Sequence, residues 1–240
     1  MKDDEAIIKA VGAAYQQGGF AAVEPRLNDL QRALDHAPAS LPPLETCGEE
    51  TVLHTPSLPA FLLVSAEAAN SHAAIHKLVW RPTPYTGAAM MLGSYANEKG
   101  QWAQAMAALR RGLALDPTSP ALATEAALSL ARQGRNDEAL ALCDGILAAN
   151  KVLTSAERAR LERTRGFSLE ELRRFDEAEA AYKRSLELEP QNPVALNELV
   201  YIQHQRAGAP PTQIQMTLGH TRQPGAATPP PVAPPPLQQP

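Results

Sequence analysis

The sequence predicts an all-α fold, a solenoid of stacked helix pairs followed by a proline-rich tail. Three observations carry that expectation. First, one sixteen-residue pattern is written twice, as WAQAMAALRRGLALDP at Trp102–Pro117 and FDEAEAAYKRSLELEP at Phe175–Pro190. Each has an aromatic, an alanine three residues on, a small residue ten on, and an acid–proline stop. Second, Ala105, Ala139 and Ala178 recur at intervals of 34 and then 39 residues, and Gly100 and Gly134 are also 34 apart. Third, alanine is abundant and aromatics make up only 5% of the chain, which suits closely packed helices better than strands.

Residues 85–206 divide into three such repeats and a closing helix. Ser119–Pro120 and Asn192–Pro193 pair an N-capping side chain with proline at the first helical position, where a missing N–H costs nothing. Thr154 and Glu157 have the spacing of a capping box, and Gly100 and Gly134 stand where a helix stop needs a left-handed residue. The five extra residues before the third repeat, around KVLTSAERA, fit one added helical turn and a longer loop. Pro193–Arg206 is the closing helix. At the other end, residues 1–37 read as a further helical hairpin, with Ile8, Val11, Gly12, Tyr15 and Gly19 in helical phase. Its second helix, Phe20–His36, is one residue out of register and carries Pro25.

Two proline-rich stretches interrupt this regularity. Pro38–Pro59 holds five prolines and Gly48, and so reads as a long irregular connection. Residues 38–84 form a separate segment, in which Ala60–Trp80 fits one helix although its opening FLLV also suits a buried strand. The last segment, 207–240, includes ten prolines in Gly208–Pro240. Proline removes backbone donors and fixes φ, so a disordered or polyproline II tail is expected there.

The helix-pair period and these residues resemble the tetratricopeptide repeat. The first repeat offers Leu92, Gly93, Gly100, Trp102, Ala105, Leu109, Gly112 and Pro117 at signature positions. The second offers Leu130, Gly134, Ala139 and Ile146, with Lys151 in place of the closing proline and Ala127 in place of the first-helix glycine. The third offers Gly166, Leu169, Phe175, Ala178, Tyr182, Ser185 and Pro190. The resemblance implies a right-handed superhelix whose first helices line a concave groove. In that register the groove residues are Met90, Ser94, Asn97, Thr124, Leu128, Arg160, Arg163 and Phe167, then Asn197 and Tyr201 on the closing helix. The family's trap for a terminal carboxylate needs a lysine and two asparagines, and those positions hold Met90, Ser94 and Glu125 here.

Net charge is −4, with 6 basic and 10 acidic groups in residues 1–85 and 15 and 16 in residues 86–206, so no basic face marks nucleic acid as a partner. The N-terminal MKDDEAIIKAVGAAYQQ has acids where a signal peptide has a basic region, and no apolar run reaches membrane-spanning length. Cys47 and Cys143, 96 residues apart and outside any CxxC, suit a reduced compartment. A cytoplasmic protein with neither nucleic-acid nor membrane partners is therefore expected.

Chemistry finds little support. His72 and His76 share a helical face at i, i+4, but no third ligand has metal-site spacing. Cys47 and His54 lie seven apart without a nucleophile signature, and no phosphate-cradling glycine loop is present. Glu170, Glu171, Glu177 and Glu179 lie near Arg173, Arg174 and Lys183 and read as solvated ion pairs. No cofactor and no metal are expected. The function the sequence supports is a non-enzymatic scaffold or adaptor that binds a peptide or protein segment in its groove. The alternative is a chaperone for an exported or unfolded client. Arg160, Arg163 and Phe167 at i, i+3, i+7 suggest that guanidinium forks meet an acidic or extended partner.

Overall fold

The computed structural model describes residues 2–41, 44–54, 58–70, 77–81 and 83–208. The proline-rich tail and the His72/His76 pair lie outside the described residues. Helices α4 (Tyr85–Glu98) and α5 (Trp102–Leu115) form the first repeat, α6 (Pro120–Arg132) and α7 (Asn136–Ala149) the second, and α8 (Ser155–Glu171) and α9 (Phe175–Leu188) the third. Helix α10 (Pro193–Arg206) closes the series.

The helix boundaries follow from local chemistry. The Ser119 hydroxyl accepts from the Leu122 N–H, and Asn192 Oδ1 accepts from the N–H groups of Val194 and Ala195. These bonds satisfy donors that a helix start leaves without partners. Thr154 and Glu157 complete a reciprocal capping box. The stops are equally uniform. The N–H groups of Gln101, Arg135 and Arg174 reach back to the carbonyls of Ala96, Leu130 and Leu169, at 2.8, 2.9 and 2.9 Å. This closure needs a left-handed residue just before it, supplied by Gly100, Gly134 and, in the third repeat, Arg173 at φ 63°. A side chain carries strain there, and Arg173 is held by the Gln205 amide oxygen and the Phe175 ring.

Within each repeat the two helices close on small residues. Ala105, Ala139 and Ala178 are fully buried. A Cβ on Gly166 would lie 2.9 Å from the Tyr182 ring, and one on Gly93 would overlap the Leu109 side chain. Glycine is required at both crossings, and each large partner fills the space it leaves. One apolar core runs from Val11, Val23, Leu30 and Leu34 through Leu109 and Leu122 to Leu161. A second joins Leu140, Leu169, Ala181, Tyr182, Ala195 and Ile202 under α10. The far side of α10 leaves Leu196 and Val200 exposed at 45% and 50%.

The N-terminal residues form α1 (Lys2–Val23), broken at Gly18–Gly19, then a short 3₁₀ turn at Glu24–Arg26 around Pro25, then α2 (Leu27–Asp35). Buried Asp4 accepts from the Tyr85 hydroxyl at 3.0 Å and lies 2.9 Å from His36 Nδ1, tying α1, α2 and α4 together.

The segment after α2 departs from the sequence expectation. The irregular connection contains the hairpin β1 (Leu44–Cys47) and β2 (Glu50–Leu53), turned at Gly48 with φ 64°. Helix α3 (Leu58–Asn70) then leads to β3 (Lys77–Trp80), which pairs parallel with β2. Ala60–Trp80 is thus neither one helix nor a strand at FLLV. The helix ends by Asn70, and the strand lies at the opposite end. A stacked pair of Phe61 and Trp80, with ring centroids 5.6 Å apart, links the two.

Candidate peptide-binding face

Successive first helices α4, α6, α8 and α10 pack side by side, with the second helices behind them. Gly93, Ala127, Gly166 and Val200 occupy the same place in the four helices, and Gly93 and Gly166 face their own second helix. Each further residue turns about 100° around the helix axis. The next residue in each case, Ser94, Leu128, Phe167 and Tyr201, is therefore turned a little over a quarter-turn from the second helix, on the side of the inner face. Leu128, Phe167 and Tyr201 are half-buried there, and Ser94 is buried.

Polar bonds cross this face from helix to helix. Asn97 on α4 donates to the Glu125 backbone oxygen and to Glu125 Oε2, both at 3.1 Å, and accepts from the Ser129 hydroxyl. Arg160 on α8 donates to Glu125 Oε1 at 2.9 Å. Glu125, 2% exposed, thus has both carboxylate oxygens engaged and links three repeats. A buried carboxylate held in this way contributes order to the stack rather than a free charge to a ligand.

The ten sequence-predicted groove residues separate into two groups. Ser94, Asn97 and Thr124 are buried, and Thr124 donates to the Pro120 carbonyl at 2.7 Å, so these three serve helix packing. Arg163 is turned toward its own repeat, donating to the Ser185 hydroxyl at 3.0 Å and to Glu189 at 2.5 Å. Together with the Arg160–Glu125 pair, this neutralises both guanidinium groups that the sequence offered to an acidic partner. Asn197 is exposed, and Met90, Leu128, Phe167 and Tyr201 are partly exposed, with Met90 and Phe167 also packed against the apolar core, while Arg160 keeps part of its side chain in solvent. The Tyr201 hydroxyl stays protonated well above neutral pH, because burial and then the carboxylates of Glu170 and Glu171 raise its pKa.

The acidic cluster also differs from the solvated pairs expected. Glu177 does pair with Arg174, and Glu179 with Lys183 and Arg206. Glu170 is instead buried at the α8–α9–α10 junction, 3.3 Å from the Tyr182 hydroxyl, and its pKa is pushed up to about 8 by burial and then by the charge of Glu198. The pKa of Glu198 is raised by burial and then by Glu171. One sequence signal could have found this pair, since Glu198 follows Glu170 by the same 28 residues that separate Asn97 from Glu125.

Among the described residues, no group of three His, Cys, Asp or Glu side chains could hold a metal ion, and no helix is long and apolar enough to cross a membrane. His54 lies 3.0 Å from Glu45, which also interacts with Cys47, so a carboxylate mediates between the two residues weighed as a nucleophile pair. Both cysteines are free, Cys47 exposed and Cys143 buried.

Two tetratricopeptide repeat family models match the chain, over residues 96–160 and 159–192. No curated protein matches the sequence significantly. The first TPR domain of human RPAP3 is 28% identical, with a TM-score of 0.48, the match covering 52% of this chain and 94% of that one. The first TPR of Spaghetti (RPAP3), solved with the HSP90 peptide SRMEEVD, is 28% identical over 51% and 94% of the two chains, TM-score 0.46. The Sgt2 TPR domain from Aspergillus fumigatus is 15% identical over 58% and 93%, TM-score 0.48. The repeated helix pairs, their shared stops and the two family matches agree: across residues 96–192 this chain belongs to the tetratricopeptide repeat family.

Proposed function

We propose that the protein is a non-enzymatic cytoplasmic adaptor that binds an extended segment of a partner protein along its inner face. The observation that carries this reading is the stripe of Leu128, Phe167 and Tyr201, three large, partly exposed side chains at one register position of successive helices. Side chains of this kind anchor interfaces, whereas a purely solvated face has no use for them. The stripe is apolar, and Arg160 and Arg163 are already paired, so the partner segment is apolar or aromatic rather than acidic. The carboxylate trap of other family members has no counterpart, since Glu125 stands at one of its positions with both oxygens engaged. The chaperone alternative shares this face and differs in the length and variety of segments held.

The test is an array of extended peptides of varied composition, probed with the protein and with the Phe167→Ala/Tyr201→Ala double variant. Binding of apolar peptides should weaken at least about tenfold, or 1.4 kcal/mol, while the circular dichroism of the variant matches wild type. Equal binding by both proteins would remove the inner-face reading. Tight selection of one peptide class favours an adaptor, and indiscriminate binding of apolar peptides favours a chaperone.

A further inference from the structure

We propose that the occupant of the Leu128–Phe167–Tyr201 stripe in the free protein is its own proline-rich segment, residues 229–240, bound in cis as a polyproline II helix. This rests on the inner-face reading above and assigns it a ligand.

Neighbouring packed helices lie about 8–10 Å apart, so a side chain at one register position recurs along the stripe at roughly that interval. A polyproline II helix has three residues per turn and rises about 3.1 Å per residue, so every third side chain returns to the same face about 9 Å further on. In TPPPVAPPPLQQP the every-third series Pro231, Pro234 and Leu237 is wholly apolar, as is Pro229, Val232 and Pro235. Each series presents three apolar groups at the interval on which the helices present Leu128, Phe167 and Tyr201. An extended strand repeats its face every second residue, about 6.6 Å, and does not match.

Chemistry agrees with the spacing. Proline rings pack on aromatic faces, and grooves lined by aromatics are the usual docking sites for such helices. The backbone carbonyls of polyproline II have no internal partners and need donors from the groove. The Tyr201 hydroxyl and the exposed Asn197 amide are available on α10. Charge agrees as well. Residues 223–240 carry no ionisable side chain, and the α8 guanidinium groups of Arg160 and Arg163 are already paired with Glu125 and Glu189. Reach is sufficient. The 20 residues 209–228 span up to about 66 Å, against roughly 20 Å from Tyr201 back to Leu128. A preformed helix also loses little backbone freedom on docking, so a modest apolar stripe can hold it.

The experiment uses the full chain with labelled aromatic and leucine side chains, observed by NMR. It is compared with a full chain whose residues 229–240 are replaced by glycine and serine. The Phe167 and Tyr201 ring signals and the Leu128 methyls should differ between the two chains. A synthetic peptide of residues 225–240, added to the glycine–serine chain, should restore the wild-type positions. Its affinity should fall at least about tenfold in the Phe167→Ala/Tyr201→Ala background. Identical signals in the two chains overturn docking of the tail, even if the added peptide binds. Signals that depend on protein concentration overturn the cis assignment in favour of a tail from a second copy. The peptide array, probed with the glycine–serine chain, separates the two levels of failure. If it yields ligands dependent on Phe167 and Tyr201 while the tail is inert, only the present inference falls. If it yields none, the inner-face reading falls with it.

Discussion

Glu198 on α10 stands to Glu170 on α8 as Glu125 on α6 stands to Asn97 on α4, and only the first member of the pair has changed. In the N-terminal contact an amide donates to a carboxylate. At the C-terminal counterpart two buried acids, 7% and 4% exposed, stand near enough for the charge of Glu198 to act on Glu170, with Tyr182, Tyr201, Glu171 and Arg173 nearby. The Glu170 carboxyl responds by holding its proton up to about pH 8.

Stability should therefore depend on pH with an unusual sign. An unfolded glutamate has its pKa near 4.5 and the folded Glu170 about 8, so between these values the native state binds more protons. Stability is then greatest at the acid end of that window and falls as pH rises toward 8, by an amount on the order of a few kcal/mol. Urea melts across pH 5–8.5 should show this decline, and Glu170→Gln should flatten it. Glu170→Gln melts with the same pH slope as wild type would refute the assignment.

The helix crossings should resist enlargement. Ala105→Leu, Ala139→Leu and Ala178→Leu each force a side chain into a closed contact, at a cost of about 1–3 kcal/mol. Gly166→Ala should destabilise similarly, because the Tyr182 ring at 2.9 Å is itself locked in the core. Thermal melts of the four variants provide the measurement.

Asn136 stands where the other repeats have Trp102 and Phe175, and its buried Oδ1 has no hydrogen-bond partner among the described residues. Asn136→Leu removes an unsatisfied acceptor at similar volume. It should raise stability by about 1 kcal/mol in denaturant melts, whereas an unchanged or lowered midpoint would show that the amide is satisfied.

The thiols should react in two stages. Burial pushes the Cys143 pKa up to about 12, leaving almost no thiolate at neutral pH, while Cys47 is exposed. A thiol reagent should titrate one group promptly in the native protein and the second only on unfolding. Prompt reaction of both would contradict the core position of Cys143.

The repeats were legible because their determinants are local. Ser119, Asn192, Thr154 and the left-handed glycines act within a few residues of themselves, and small residues mark every crossing. The three-stranded sheet was not, because strands of four residues have no room to display a period. The signal present was Gly48 flanked by the β-branched Thr46, Thr51 and Val52. The state of the groove residues was beyond local reading. Asn97 and Arg163 are removed from the open face by partners 28 and 26 residues away, and periodicity places a side chain on a face without saying what already holds it.

Val200 bears on how a further module could be added after α10. At its place in the earlier helices, Gly93 and Gly166 admit Leu109 and Tyr182 at a distance that not even a single methyl would tolerate. Valine there would bring three carbons into that space, so a helix carrying leucine or tyrosine at the facing position would not dock on α10 as α9 docks on α8. Duplicating the α8–α9 unit after residue 206 would accordingly fail to propagate unless position 200 were first reduced to glycine. A single β-branched side chain would thus act as a counting device for repeats added at this end.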